Sequence, residues 1–179
     1  MQKPSYQDPA QWGGTPIILT PIGTIRTPFR DSVGMPIQSS FASGVEGVIE
    51  LFPQLLQGLH DLDGFERLWV MYYFHRAVAP KLMVSPYLDP VEHGIFATRS
   101  PARPNKIGMS PVRLLGIDGP RLRIADVDML DGTPLLDIKP YLPAFDHFEV
   151  VRTGWYKDTT MQVVADSRFE LKTPQSKVK

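Results

Sequence analysis

The stretch VRLLGIDGPRLRIADVDM, Val112–Met129, carries the reading of the fold. Its two halves, VRLLGI and RLRIADVDM, are rich in β-branched and aliphatic residues, and Asp118-Gly119-Pro120 between them is a hairpin turn signal. The second half changes phase. Leu122 and Ile124 share one face, whereas Val127 and Met129 fall on the other. One extra residue near Ala125, a β-bulge, would repair the alternation, and bulges of that kind help a sheet curl shut.

Working outward, further short strands are expected at Ile17–Arg26, Val45–Leu51, Leu68–Phe74, Gly94–Thr98 and Leu135–Lys139. LWVMYYF, Leu68–Phe74, is a continuous apolar run that suits a strand buried on both faces. A helix is expected at Pro53–Leu59, where proline fits the first turn and Leu55, Leu56 and Leu59 share a face. About seven short strands, short helices and eighteen prolines point to a mainly all-β protein, a small closed barrel with loop-rich connections. Residues 1–15 read as an irregular arm, 16–165 as the barrel domain and 166–179 as a polar tail that frays.

Composition narrows the function. The chain has 179 residues and no cysteine, so disulfides, thiolate metal sites and cysteine nucleophiles are all excluded. None of its four histidines stands at i+3 or i+4 from another, and no metal is expected. No apolar run suits a membrane span or a signal core, so a cytoplasmic location is expected. Nineteen basic and nineteen acidic residues balance, which argues against broad nucleic-acid binding but leaves room for a local patch. The charges are sorted. Residues 94–117 carry Arg99, Arg103, Lys106 and Arg113 and no acid. Residues 124–138 carry Asp126, Asp128, Asp131 and Asp137 and no cation.

Three places could carry chemistry. The loop of Arg99, Arg103, Asn105 and Lys106, stiffened by Pro101 and Pro104, is either a ligand grip or a solvated surface. The Asp131-Gly132 turn with Thr133 either admits a ligand to the backbone or simply reverses the chain. His75, ending the aromatic run, is either a base or hydrogen-bond partner, or a structural histidine. Gln38, in a loop, could read an amide or adenine edge. Tyr72, Tyr73 and Phe74 suit core packing better than ligand stacking. No glycine-rich dinucleotide loop is present.

PIGTIRTPF (Pro21–Phe29), Pro36–Gln38, LDGFERLWVMYYFH (Leu62–His75), GIFATRSPARPNKIGMS (Gly94–Ser110) and LDGTPLLDIKPYLP (Leu130–Pro143) together resemble one family. It is the TrmO family, also called YaeB-like or TsaA-like, and the likeness runs over about residues 16–146. The resemblance implies a β-barrel that binds S-adenosyl-L-methionine, a homodimer with the cofactor pocket near its interface, and methylation of the exocyclic nitrogen of threonylcarbamoyl-adenosine in tRNA beside the anticodon. It assigns the cofactor to Pro36, Ile37, Gln38, His75, Arg76, Arg99, Met109, Leu130, Asp131, Gly132 and Thr133. Arg99 would meet either the methionine carboxylate or a phosphate. Asp131, Asp137 and His75 are candidate general bases, and Arg103, Asn105, Lys106 and Lys139 candidate RNA contacts.

Three features depart from the family pattern. Lys106 stands where the family usually has proline, which would loosen the loop or add a phosphate contact. Arg76 replaces a glutamine of some members. Many members carry a further C-terminal domain, whereas this sequence ends at Lys179. Besides the methyltransferase, two readings stand open: a non-catalytic module binding S-adenosylmethionine or an adenine nucleotide, and a methyltransferase for another substrate.

Overall fold

Antiparallel pairing, mostly between strands distant in sequence, builds the architecture. The computed structural model describes residues 15–156 and 164–171. Eight strands run in chain order: β1 Gly23–Arg26, β2 Glu46–Leu51, β3 Arg67–Tyr73, β4 Met83–Val84, β5 His93–Gly94, β6 Ile107–Asp118, β7 Arg121–Ala125 and β8 Thr133–Pro140. Six close into an antiparallel barrel in the order β1-β2-β7-β6-β3-β8, and β4 and β5 form a separate ribbon. The expected barrel is present, with six strands rather than about seven.

Alternation puts one face of each strand inside. In β3, Leu68, Val70 and Tyr72 are buried while Trp69 and Met71 are only partly covered. The run is therefore lined on one face by the core, not enclosed on both as its composition suggests. Ile25, Ile49, Leu68, Val112, Leu122, Ile124 and Leu135 are wholly buried and fill the barrel.

The phase change has a different remedy from the expected bulge at Ala125. β7 ends at Ala125, and Asp126 takes φ 66°, which turns the chain so that Val127 and Met129 re-enter the core. The bulges lie elsewhere, at Leu115 on β6 opposite Ile124 and Arg123, and at Leu136 on β8 opposite Met71 and Tyr72. Strand β6 pairs with β3 through Ile107–Arg113 and with β7 through Arg113–Asp118. Beside that handover the Asp126 carboxylate accepts from Gly44 N (2.9 Å), Arg67 (3.0 Å) and Arg113 (3.5 Å). Burial pushes its carboxyl up, but these donors together bring it below the usual carboxylate range.

Other expectations shift. Only Gly23–Arg26 of the first expected strand is strand, because Ile17 and Ile18 project into solvent. Of Gly94–Thr98 only Gly94, the end of β5, is strand. A 3-10 turn follows at Ile95–Ala97, held by Arg103 donating to the carbonyls of Ile95 (3.2 Å) and Thr98 (2.8 Å). Pro53–Leu59 is helical as expected, but of 3-10 type and with no buried residue. Residues 164–171, expected to fray in part, pack instead. Phe169 is buried with Val84, Ile95 and Ala102 in a second cluster, and Val164 and Glu170 bridge to Pro36 and Ala77. The arm before Thr15 and residues 172–179 lie outside the described residues.

Asp126→Ala should cost about 1.5–3 kcal/mol, the usual loss when a charged hydrogen-bond partner is removed from a partly buried group. Urea unfolding checks this, and a midpoint unchanged from the parent protein would show that the carboxylate does not hold the β3–β6–β7 seam.

Candidate functional site

The barrel interior is filled by side chains, so a ligand must sit at its mouth. There β1, β3 and β7 finish and β2, β6 and β8 begin, and a cleft of about 870 Å³ opens, a size usual for cofactor sites. Its walls come from the Met35–Phe41 turn, the end of β3, the loop before β6, the turn before β8 and the C-terminal segment.

Most residues named from the sequence converge here. Ile37, Gln38, His75, Arg76, Arg99, Arg103, Met109, Leu130 and Thr133 all line the cleft. Arg99 donates to Gln38 Oε1 (2.5 Å), and Gln38 Nε2 donates to Ile37 O (2.6 Å), so the two expected ligand contacts already support each other. Thr133 donates its hydroxyl hydrogen to Leu130 O (2.7 Å), which makes His75 Nδ1 the donor in their 3.4 Å contact and leaves Nε2 as the basic nitrogen. Burial, then the neighbouring Arg76 guanidinium, holds His75 below its ordinary range. It is a neutral imidazole at physiological pH.

The others lie outside the lining. Pro36 is buried and bridges to Val164. Asp131 accepts from Thr27 N (3.2 Å), tying the turn to the chain after β1. Gly132 has φ 76°, and a Cβ there would come no closer than 4.0 Å to Arg26 Nη1, so backbone conformation explains this glycine. Asp137 bonds Ile138 N and pairs with Lys139 (3.0 Å). Asn105 is exposed. Lys106 donates to Ala77 O (2.7 Å), which anchors the loop to the exit of β3 rather than loosening it. Arg76 pairs with the buried Glu170 and donates to Arg30 O, so it also fastens the C-terminal segment. Glu170 further accepts from Ser32 N (2.7 Å) and Ser32 Oγ (2.6 Å).

Sequence reasoning missed a polar chain running from the core to the cleft. Asp128 lines the cleft and accepts at Oδ1 from Ser110 Oγ (2.7 Å). Ser110 thereby spends its only hydrogen, so the buried Tyr72 hydroxyl donates to Ser110 Oγ (3.1 Å). Burial pushes the Asp128 carboxyl up to about 6 against the opposing pull of Ser110, the amides of Asp128 and Ser39, and Arg99. Gly108 makes this possible, because any Cβ there would lie 2.3 Å from the Tyr72 ring. The available signal was an acid between two core residues, Val127 and Met129. Among the described residues no group of three His, Asp or Glu could hold a metal ion, and no helix is long and apolar enough to cross a membrane.

Asp128 also gives a stability prediction. Its folded-state carboxyl binds a proton more tightly than the unfolded chain's at 3.8. The stability it contributes is therefore present below about 3.8 and lost as pH rises to about 6. Asp128→Asn should thus be more favourable, relative to the parent, at pH 8 than at pH 3.5. Urea titrations at both pH values check this, and an equal difference at the two would refute the raised carboxyl.

Comparison with known proteins agrees with this geometry. The model of the tRNA-methyltransferase O N-terminal domain matches residues 24–147. A probable S-adenosyl-L-methionine-binding protein of Pyrococcus abyssi is 53% identical over 139 residues, 78% of this chain and 76% of that protein. The Escherichia coli tRNA (adenine(37)-N6)-methyltransferase is 35% identical over 132 residues, 68% of this chain and 56% of its own, so this chain spans about half of that relative. The crystal structure of TrmO from Pseudomonas aeruginosa superposes with a TM-score of 0.68 at 36% identity, covering 80% of this chain and 64% of that one. With its barrel, its cleft and a match over most of its length, the chain belongs to the tRNA-methyltransferase O N-terminal-domain family.

Proposed function

We propose that this protein is an S-adenosylmethionine-dependent tRNA methyltransferase whose acceptor is the exocyclic nitrogen of threonylcarbamoyl-adenosine beside the anticodon. The observation that carries the reading is the convergence of Gln38, His75, Arg99, Met109 and Thr133, from four separated segments, on one cleft. The donor set suits the cofactor. Gln38 offers an amide for an adenine edge, Arg99 a planar guanidinium for the methionine carboxylate, and Met109 an apolar surface.

When bound, the cofactor supplies an already electrophilic methyl group. The chain's task is then alignment and exclusion of water, and alignment can lower a barrier by about 7–11 kcal/mol. The stiff loop at Pro101–Pro104 and the Lys106 anchor hold Arg99 without a large ordering cost on binding. Arg103, Asn105, Lys106 and Lys139 are the proposed RNA contacts. Arg103 lies 5.9 Å from the exposed Phe96 ring at the cleft edge. The homodimer is part of the proposal too. Phe96 and Met109, 78% and 57% exposed beside the cleft, offer apolar surface that a second copy would cover.

A second reading, a module that binds the cofactor without transferring its methyl group, is favoured by one fact. The Pyrococcus relative, most of whose length this chain spans, is named only as a cofactor-binding protein. The two part in one assay. Incubation with S-adenosylmethionine and tRNA bearing threonylcarbamoyl-adenosine should yield the N-methylated nucleoside by mass spectrometry. Cofactor binding by calorimetry without that product would leave the sensor. Arg103→Ala combined with Lys106→Ala should lower the salt slope of tRNA binding by about one per lost phosphate contact. An unchanged slope would place the RNA on another face.

A further inference from the structure

We infer that Asp128 takes the proton from the acceptor nitrogen during methyl transfer, and that the Tyr72–Ser110 pair is the positioning device that aims its carboxylate. The inference rests on the methyltransferase reading above. It displaces the bases expected from sequence. Asp131 is outside the cleft and holds Thr27 N, and Asp137 is outside it and paired with Lys139. His75 does line the cleft, but its Nδ1 is engaged with Thr133 Oγ1 and burial lowers its affinity for protons below that of an ordinary imidazole.

Among the described residues two carboxylates line the cleft, Asp128 and Glu170. Glu170 is engaged by Arg76 and by both donors of Ser32. An ionised carboxylate has about four acceptor sites. The Ser110 hydroxyl takes one of them at Asp128 Oδ1, which leaves capacity for a further donor from the cleft. The Tyr72–Ser110–Asp128 chain starts at a tyrosine with 4% exposure and ends in the cleft wall, so the carboxylate is oriented from the rigid core rather than from a loop. Its proton affinity, at about 6, keeps it ionised near neutrality yet makes it a stronger base than an ordinary aspartate.

The acceptor needs such a group. Its nitrogen is conjugated to the carbamoyl carbonyl and is a poor nucleophile while it keeps its hydrogen. Asp128 removes that hydrogen as a proton. The nitrogen lone pair forms the new N–CH₃ bond while the S–CH₃ bond breaks with its electron pair passing to sulfur. The positive charge of the sulfonium and the negative charge of the carboxylate are both lost. The products are a neutral thioether, the N-methylated nucleoside and a protonated Asp128. The charged and titratable groups facing Asp128 are Arg99, a fixed cation, and Tyr72, whose phenol is pushed far above the physiological range by burial. Neither titrates near neutrality, so the other cleft group that could give a limb near 6 is His75, and variants of both residues separate the two.

The test uses the full chain with threonylcarbamoyl-adenosine-containing tRNA. Asp128→Asn should slow single-turnover methylation by about 10²–10⁴-fold, leave S-adenosylmethionine affinity by calorimetry unchanged, and abolish the acid limb that the parent shows near pH 6. Carbon-13 NMR of the protein alone should find one aspartate carboxyl titrating near 6 that disappears in Asp128→Asn. Ser110→Ala removes a bond to the ionised form and should move both the NMR titration and the limb to higher pH, which a merely structural serine would not do. His75→Gln should retain the limb. Parent-like turnover by Asp128→Asn, or loss of the limb in His75→Gln alone, overturns the assignment while the methyltransferase reading stands. Absence of methylated nucleoside with the parent protein itself overturns both.

Discussion

The buried carboxylate of Asp126 is the constraint from which the seam and the cleft both follow. It sits where β6 passes from one neighbour to the other, and it is tolerable there because a backbone amide and two guanidiniums meet it. It meets them from φ 66°, a left-handed conformation that few residues other than glycine, asparagine and aspartate adopt. That single left-handed residue reverses the phase of the chain. Val127 and Met129 then fall into the core, and the residue between them, Asp128, falls against the cleft. One ion cluster thus closes a junction between strands and sets the address of a second carboxylate two residues on.

The barrel is too narrow to hold a ligand inside, and its chemistry changes along its length instead. Aliphatic side chains fill most of the bore. At the mouth the inward positions become Tyr72, Ser110 and Thr133, each with its hydroxyl bonded. Polar groups at the edge of a packed core are held more firmly than groups on loops, because core packing fixes their rotamers. The C-terminal segment completes the wall. Glu170 reaches Ser32 and Arg76 from one side while Phe169 is embedded in the second cluster, so this strap joins the turn carrying Gln38 to the end of the strand carrying His75.

The parts of this arrangement legible in the sequence were the local ones. Asp118-Gly119-Pro120 marked the β6–β7 hairpin, a continuous apolar run marked β3, and the short stretch LLDIK marked β8. The remedy for the phase change was not legible, because a bulge near Ala125 and a left-handed turn at Asp126 repair the phase equally well, and only the ladder, which ends at Ala125, tells them apart. Gly94–Thr98 looked like a strand because it is a short apolar stretch between turn signals, but Arg103 captures the carbonyls of Ile95 and Thr98 for a turn. The tail looked disposable because its composition is polar, and that hides one phenylalanine with a cavity to fill. At the site, Gln38, His75, Arg99 and Thr133 were found through their motifs. Asp128 was not, since its character depends on Ser110, eighteen residues away in sequence, and on Ser39.

Lys106 shows how one physical requirement admits two chemical answers. A loop that must present Arg99 to a ligand gains from having little freedom to lose. Proline supplies that by fixing φ, and members of the family usually place one at this position. Here the same restraint comes from the ammonium group donating to Ala77 O, where β3 gives way to the segment carrying His75 and Arg76. The substitution exchanges a covalent restraint within the loop for a noncovalent tie between two walls of the cleft. It also leaves a positive charge at the edge of the cleft that proline could not provide. The loop is therefore stiffened in relation to its neighbour rather than in relation to itself, and any movement of the β3 exit carries the loop with it.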